Sequence, residues 1–332
     1  MKRSARGFAE LHCRSAFSFL TGASQPEELV ARAAELGYQA LAITDECSLA
    51  GIVRAHQAAR EHNLKLVIGS QFRIEDSDTG MPLNLILLVP QRQAYSELCA
   101  LISRGRRRSN KGHYQLHWKD LTRLVQQCLC VWLPSFDRQQ DLDQGRSLKA
   151  HFPDRLWIAC ELLQEEHDGA RYQYLWQLAN GLDLPMLASN DVHMHVAERQ
   201  PLQDVLTALR HRCTVQTLGR RRFPNDQRHL RPLTTLRAIY PEALLDESLH
   251  IAALCQFSLN ELRYQYPREA IPAGITAADW LRQLVYQGAD LRWPQGVPDD
   301  VRNLLEKELT LISELRYEAY FLTVHDIVMF AR

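Results

Sequence analysis

Side chains able to bind metal or move protons recur at the ends of apolar runs: His12, the pair Asp45-Glu46, Gln71, Glu161, and Asp191 followed by His193 and His195. Imidazole and carboxylate are ligand types that hold zinc or manganese, and ions so held activate water against a phosphate ester. Metal-assisted phosphoester hydrolysis is therefore the chemistry this set would serve. Every member also has a plainer reading. His12 fits a satisfied buried histidine, Asp45 a cap of the next helix, Glu161 a solvent-facing carboxylate, and His195 an exposed loop neighbour of Asp191. Gln71 weakens the set, because a neutral amide is a poor ligand where a bridging carboxylate serves best.

For these groups to meet, the runs they end must be strands whose carboxyl ends share one face. Seven such runs are present, at Phe8–His12, Ala40–Asp45, Leu64–Phe72, Leu83–Pro90, Cys128–Pro134, Leu156–Glu161 and Pro185–Asp191. Several are continuously apolar, as parallel strands buried on both faces are, and longer amphipathic stretches lie between them. The clearest helix opens at Gln25-Pro26-Glu27-Glu28-Leu29. Ser24 or Gln25 caps it, Pro26 suits its first turn, Leu29, Val30, Ala33, Ala34 and Leu36 recur at helical spacing, and Gly37 ends it. Seven parallel strand–helix units with no glycine-rich phosphate loop after the first strand indicate a closed α/β barrel over residues 1–200, not a dinucleotide-binding open sheet.

Beyond residue 200 the pattern changes to helices punctuated by Pro224, Pro232, Pro241, Pro267, Pro272, Pro294 and Pro298, so residues 201–332 read as a second, mainly helical region. Asp299 to Tyr317 is its strongest amphipathic helix, with Val301, Leu304, Leu305, Leu309, Ile312 and Leu315 on one stripe. The apolar helix that follows, Tyr320 to Arg332, has no stop signal and is expected to lead into further polypeptide.

Lysine plus arginine equal aspartate plus glutamate at 39 each, so net charge gives no argument for nucleic acid and any DNA contact has to be local. The one concentrated basic run, Arg104 to Gly112, reads as a flexible surface segment. Its Arg106, Arg107, Arg108 and Lys111 are the candidates for phosphate contact. The eight cysteines lack paired zinc-ribbon spacing, and no secretory leader or membrane-length apolar run is present, so the expectation is reduced thiols in a soluble cytoplasmic protein. Cys128 and Cys130 alternate along a strand and so face opposite sides. Tyr172, Tyr174 and Trp176 sit in a helix and suit a core or interface better than base stacking.

Longer strings carry a resemblance. Phe8 to Ser24 (FAELHCRSAFSFLTGAS) resembles the opening of the polymerase-and-histidinol-phosphatase (PHP) domain in bacterial C-family DNA polymerases, particularly their damage-inducible error-prone branch. Leu41 to Gly51 (LAITDECSLAG) looks like its second motif, and Ala188 to His195 (ASNDVHMH) like its last. Further on, Glu261–Pro267, Arg292–Gly296 and Ala319–Ile327 look like the region leading into the polymerase palm. The resemblance implies a PHP-type distorted (β/α)7 barrel, then a helical segment entering the polymerase region.

Departures from the pattern decide what the site retains. Metal-binding PHP domains open with His-x-His, where this chain has His12-Cys13-Arg14. They follow the aspartate with histidine, where Glu46 stands, and they carry glutamate after the third strand, where Gln71 stands. The matched remnant is His12, Asp45, Asp191 and His193. A permanently cationic Arg14 repels a metal ion, so a full trinuclear site is not expected and bound Zn2+ or Mn2+ is doubtful.

The implied function is the amino-terminal part of an error-prone polymerase acting in damage-induced translesion synthesis, with the PHP domain as scaffold. The alternative is a free-standing metal-dependent phosphoesterase or exonuclease. The resemblance further implies Mg2+ at palm aspartates lying outside these 332 residues. It also implies partnership with DNA, a sliding clamp and accessory mutagenesis proteins.

Overall fold

The structure is a computed structural model that describes residues 7–75, 82–262 and 271–331. Most of the basic amino terminus, Arg263–Pro267 of the string opening at Glu261, and Arg332 fall outside those residues. By contact the chain divides into two units, Met1–Glu261 and Leu262–Arg332.

The first unit runs β1 (Ala9–Glu10), α1 (Pro26–Glu35), β2 (Ala40–Ile43), α2 (Ile52–Glu61), β3 (Lys65–Glu75), β4 (Pro82–Leu88), α3 (Arg92–Arg107) and α4 (Trp118–Leu124). It continues with β5 (Leu129–Leu133), α5 (Arg138–His151), β6 (Leu156–Glu161), α6 (Asp168–Leu182), β7 (Met186–Ser189), α7 (Gln200–Arg210), α8 (Leu233–Ile239) and α9 (Glu242–Leu254). All seven strands pair in sequence order. The ring closes nearly completely where Cys13 bridges Val192 in parallel, with Arg14 N donating to Val192 O (2.8 Å) and Val192 N to His12 O (2.9 Å).

Alternation along the strands sorts the core into two layers. Leu41 and Ile43 of β2 join Leu29, Ala55 and Leu98 of the surrounding helices. Ala40 and Ala42 face the other way, into the barrel, with Val67, Ile86, Val131, Ala159 and Leu187. Small alanines at this point suit the narrow interior of a seven-stranded ring. Ile251, Ala252 and Cys255, from and just after α9, complete the inner layer, and α9 packs on β1 and β7. Part of the helical sequence after residue 200 therefore finishes the barrel.

The expectation of seven parallel units fails at β4. This strand is antiparallel to β3 (Gly69↔Leu88, Glu75↔Pro82) and to β5 (Asn84↔Leu133, Leu88↔Leu129). A parallel return needs a crossover of about a dozen residues or more, and the link from Glu75 to Pro82 is too short to supply one. The basic run also differs from expectation. Arg104 to Arg107 form the last turn of α3, because the buried stripe Glu97, Leu98, Leu101 and Gly105 carries the helix through the charges. Gly105 packs where a side chain would strike Leu116.

α1 begins and ends where its residues direct. Gln25 stands at the N-cap, its backbone N–H donating to Glu28 Oε2 (2.8 Å), and Pro26 fills the first turn. Gly37 adopts the left-handed conformation just past the end (φ 74°).

The second unit holds α10 (Ala277–Arg292), α11 (Asp299–Leu315) and α12 (Glu318–Ala331). They meet around Leu281, Leu309 and Leu322. Among the described residues no helix is long and apolar enough to cross a membrane.

Candidate functional site

The carboxyl ends of β1, β2, β3, β6 and β7 bring most of the anticipated side chains to one mouth of the barrel. His12 follows β1, and its Nδ1 lies 2.7 Å from Glu161 Oε1 at the end of β6. Its Nε2 lies 2.9 Å from Gln71 Oε1 on β3 and 3.3 Å from Asp191 Oδ1. Asp191 follows β7 in a left-handed conformation (φ 43°), which aspartate tolerates better than bulkier residues. His193 places Nε2 at 3.2 Å from the same Oδ1, while its Nδ1 is 3.0 Å from Thr21 O. His12, Asp191 and His193 therefore converge around one carboxylate oxygen.

That oxygen is already claimed by a cation. Arg14 Nη2 stands 3.1 Å from Asp191 Oδ1, and Arg228 Nη1 bonds directly to Asp191 Oδ2. Arg228 stacks over Phe223 (4.5 Å to the ring centroid), and Phe223 lies edge-on to His193 (5.0 Å). Burial alone would raise the Asp191 pKa, but Arg14 and Arg228, helped by His193 and His12, hold the carboxyl well below its usual range. Burial opposes a charged His12, yet Asp191 and Glu161 outweigh it and push the imidazole pKa up. For His193 burial prevails and the pKa falls.

Asp45, after β2, is held by hydroxyls. Its Oδ1 accepts from Ser15 N (2.8 Å) and Ser18 Oγ (2.7 Å), and its Oδ2 from Ser15 Oγ (2.7 Å). Burial raises its pKa, partly offset by those donors. Glu46 turns away to accept from Tyr114 OH (2.8 Å), and His195 turns to Ser24 Oγ (2.8 Å).

Residues that the sequence did not single out complete the setting. Glu10 is fully buried under His12, accepting from its backbone N–H (2.9 Å) and from Asn190 Nδ2 (2.5 Å). Burial lifts its pKa to about 7 despite these donors. Asn190 Oδ1 in turn accepts from the buried Arg231, which also donates to Leu162 O (3.0 Å). Arg228 and Arg231 belong to no motif and lie far along the chain from their partners, so no local signal marks them.

These residues do not fit a divalent metal ion. The carboxylate best placed to ligate is neutralised by two guanidinium groups, Asp45 has both oxygens bound, and Gln71 offers His12 an amide. Among the described residues no group of three or more His, Cys, Asp or Glu side chains is arranged to hold a metal. The site is instead a closed polar network in which arginine supplies the positive charge.

Of the basic candidates, two are engaged within the protein. Arg106 donates to Cys47 O (3.1 Å) and Glu46 O (3.2 Å) and lies over Tyr114, while Arg108 grips Asp120 with two bonds (2.6 and 3.0 Å). Arg107 and Lys111 are exposed.

Residues 10–173 match the PHP domain family, and residues 279–332 match the bacterial DNA polymerase III alpha NTPase domain. More particularly, the chain is similar to error-prone DNA polymerases. It is 53% identical over 326 residues to that of Methylococcus capsulatus, covering 98% of this chain and 30% of the relative. It is 52% identical over 325 residues to that of Pseudomonas aeruginosa, covering 98% and 31%. The chain thus spans about 30% of the length of these curated relatives. Among solved structures, an amidohydrolase from Chromobacterium violaceum with bound sulfate and no metal matches with a TM-score of 0.44 at 15% identity, over 56% of this chain and 88% of that one.

Proposed function

We propose that this chain is the amino-terminal part of an error-prone DNA polymerase, serving damage-induced translesion synthesis in the cytoplasm, and that its PHP domain is a non-hydrolytic scaffold. The observation that carries the first half is the collinear likeness to error-prone polymerases through 98% of the chain, spanning both matched domains. The second half rests on Asp191 being clamped by Arg14 and Arg228 where a metal-dependent site would need a free carboxylate. In this reading DNA and the nucleotide are handled with Mg2+ by the longer polypeptide. A sliding clamp and accessory mutagenesis proteins are the partners the resemblance points to, and Arg107 and Lys111 remain the candidate phosphate contacts of the α3 end.

Two assays test the two halves separately. A polypeptide continuing this chain to the length of its relatives should extend a primer past an abasic site with Mg2+, and failure to incorporate any nucleotide sinks the polymerase reading. The 332-residue chain alone, analysed for bound metals and incubated with a phosphodiester plus Mn2+ or Zn2+, should show neither stoichiometric metal nor hydrolysis. Metal-dependent hydrolysis lost in His193→Ala would overturn the scaffold reading.

A further inference from the structure

The barrel mouth is bordered by a cationic surface that the preceding reading leaves unused. From Val205 to Asn225 the chain contains no carboxylate but has Arg210, Arg212, Arg220, Arg221 and Arg222. In a protein of balanced charge such a stretch stands out. All five arginines are exposed. Arg222 Nε bonds Asp204 Oδ2 (2.7 Å), fastening the turn after Gly219 to α7. His211 at the end of α7 has its pKa lowered, by desolvation and then by Arg210 and Arg221, so those two guanidinium groups share its neighbourhood. Arg212, Arg220 and Arg221 have no carboxylate partner among the described residues.

The loop that Arg210 touches carries an exposed aromatic residue. Phe19, in the loop between β1 and α1, is 82% exposed. Its carbonyl accepts from Thr21 Oγ1 (3.4 Å), and that hydroxyl accepts from Arg210 Nη1 (3.1 Å). An exposed aromatic on a loop that an arginine-rich segment touches offers the two groups that bind single-stranded nucleic acid: a ring that stacks on a base and guanidinium groups that follow the phosphates. A rigid duplex keeps its bases stacked on one another and would leave the ring unused.

We infer that Phe19 with Arg210, Arg212, Arg220 and Arg221 forms a docking surface for single-stranded DNA at the rim of the PHP barrel. This rests on the polymerase reading for its choice of nucleic acid. The exposed aliphatic stripe of α7, Leu202, Val205 and Leu209, is the feature that would favour an acidic protein partner instead. The density of unpaired arginine together with the exposed ring favours the nucleic acid.

The test uses the full chain and a fluorescein-labelled oligothymidylate of about 16 nucleotides, followed by anisotropy across a salt series. Binding is expected at low salt, and Arg212→Gln/Arg220→Gln/Arg221→Gln should lower the slope of log affinity against log salt by about 2. Phe19→Ala should weaken oligothymidylate roughly tenfold and leave a duplex competitor unaffected. Circular dichroism melting of both variants, expected to match the parent, separates lost contacts from lost folding.

The inference is overturned by no binding at low salt. It is equally overturned by binding that the triple variant keeps while Arg107→Gln/Lys111→Gln abolishes it, or by capture of an acidic amphipathic peptide in preference to DNA. Each of these leaves primer extension by the longer polypeptide untouched, so this surface and the polymerase reading fail separately.

Discussion

Asp191 is a carboxylate buried between two guanidinium groups, and the energetics of that arrangement are lopsided. The intact cluster adds little net stability, because three charges have been taken from water, but removing one partner leaves the others uncompensated. Arg14→Ala should therefore cost about 3 kcal/mol, read as a lowered urea midpoint at unchanged slope. A loss below a few tenths would mean that the clamp is not formed in solution. The depressed pKa fixes the pH window. The contribution is present above the ordinary carboxylate value near 3.9 and is lost as pH falls below it toward the lower folded value.

Glu10 behaves oppositely. Its folded pKa of about 7 lies above the ordinary 4.5, so its contribution is fully present below 4.5 and is lost as pH rises through 7. The difference is on the order of 3 kcal/mol. Stability should decline between pH 5 and 8 in the parent, and Glu10→Gln should flatten that decline. An unchanged slope in the variant would place the titration elsewhere. Of these residues, His12, Asp45 and Asp191 are legible because each ends an apolar run, His193 because it follows Asp191, and Arg14 because the resemblance sets a histidine at its position. Glu10 was hidden inside its run, and Arg228 reaches Asp191 across 37 positions that no periodicity connects.

Elements were legible where local rules govern them. α1 begins and ends on residues chosen for those roles, and its apolar stripe faces the barrel. β4 is legible as a strand but not in its direction, because an apolar run states burial and not orientation; only the short link from β3 carries the direction. The α3 end is hidden for a related reason, since a run of arginines on a helix's solvent face has the composition of a loop, and only the buried Leu101 and Gly105 mark it as helix. α9 shows what the periodicity could not convey: a helix after the expected boundary fills the barrel interior. Ile251 is fully buried there, so Ile251→Ala should cost about 3 kcal/mol, more than an exposed helical position allows. Thermal melting of the first unit's tryptophan signal would read it, and a change below about 0.5 kcal/mol would show that α9 does not plug the barrel.

At the scale of the whole molecule, the sequence boundary at residue 200 separates a strand-rich pattern from a helical one, whereas the contacts divide the chain after Glu261. A seven-stranded ring borrows a helix from beyond the pattern change because its interior has to be filled. The same whole-molecule logic applies to the barrel mouth. Arg14, Glu46 and Gln71 are departures from the metal-binding PHP pattern, and in the structure Arg14 supplies charge to Asp191, Glu46 serves Tyr114, and Gln71 serves His12.

If guanidinium has replaced the metal, then Arg14→His/Glu46→His/Gln71→Glu should restore ligands and remove a repelling charge together. The triple variant should be less stable than the parent without metal, because Asp191 loses a partner. It should regain stability with Mn2+ or Zn2+, by about 2.7 kcal/mol at a hundredfold excess over the dissociation constant. The parent should show no metal-dependent rise in melting temperature. A parent that is stabilised by Mn2+ to the same extent as the variant would mean that the clamp opens to admit the ion, and that arginine and metal compete for the barrel mouth instead of one having displaced the other.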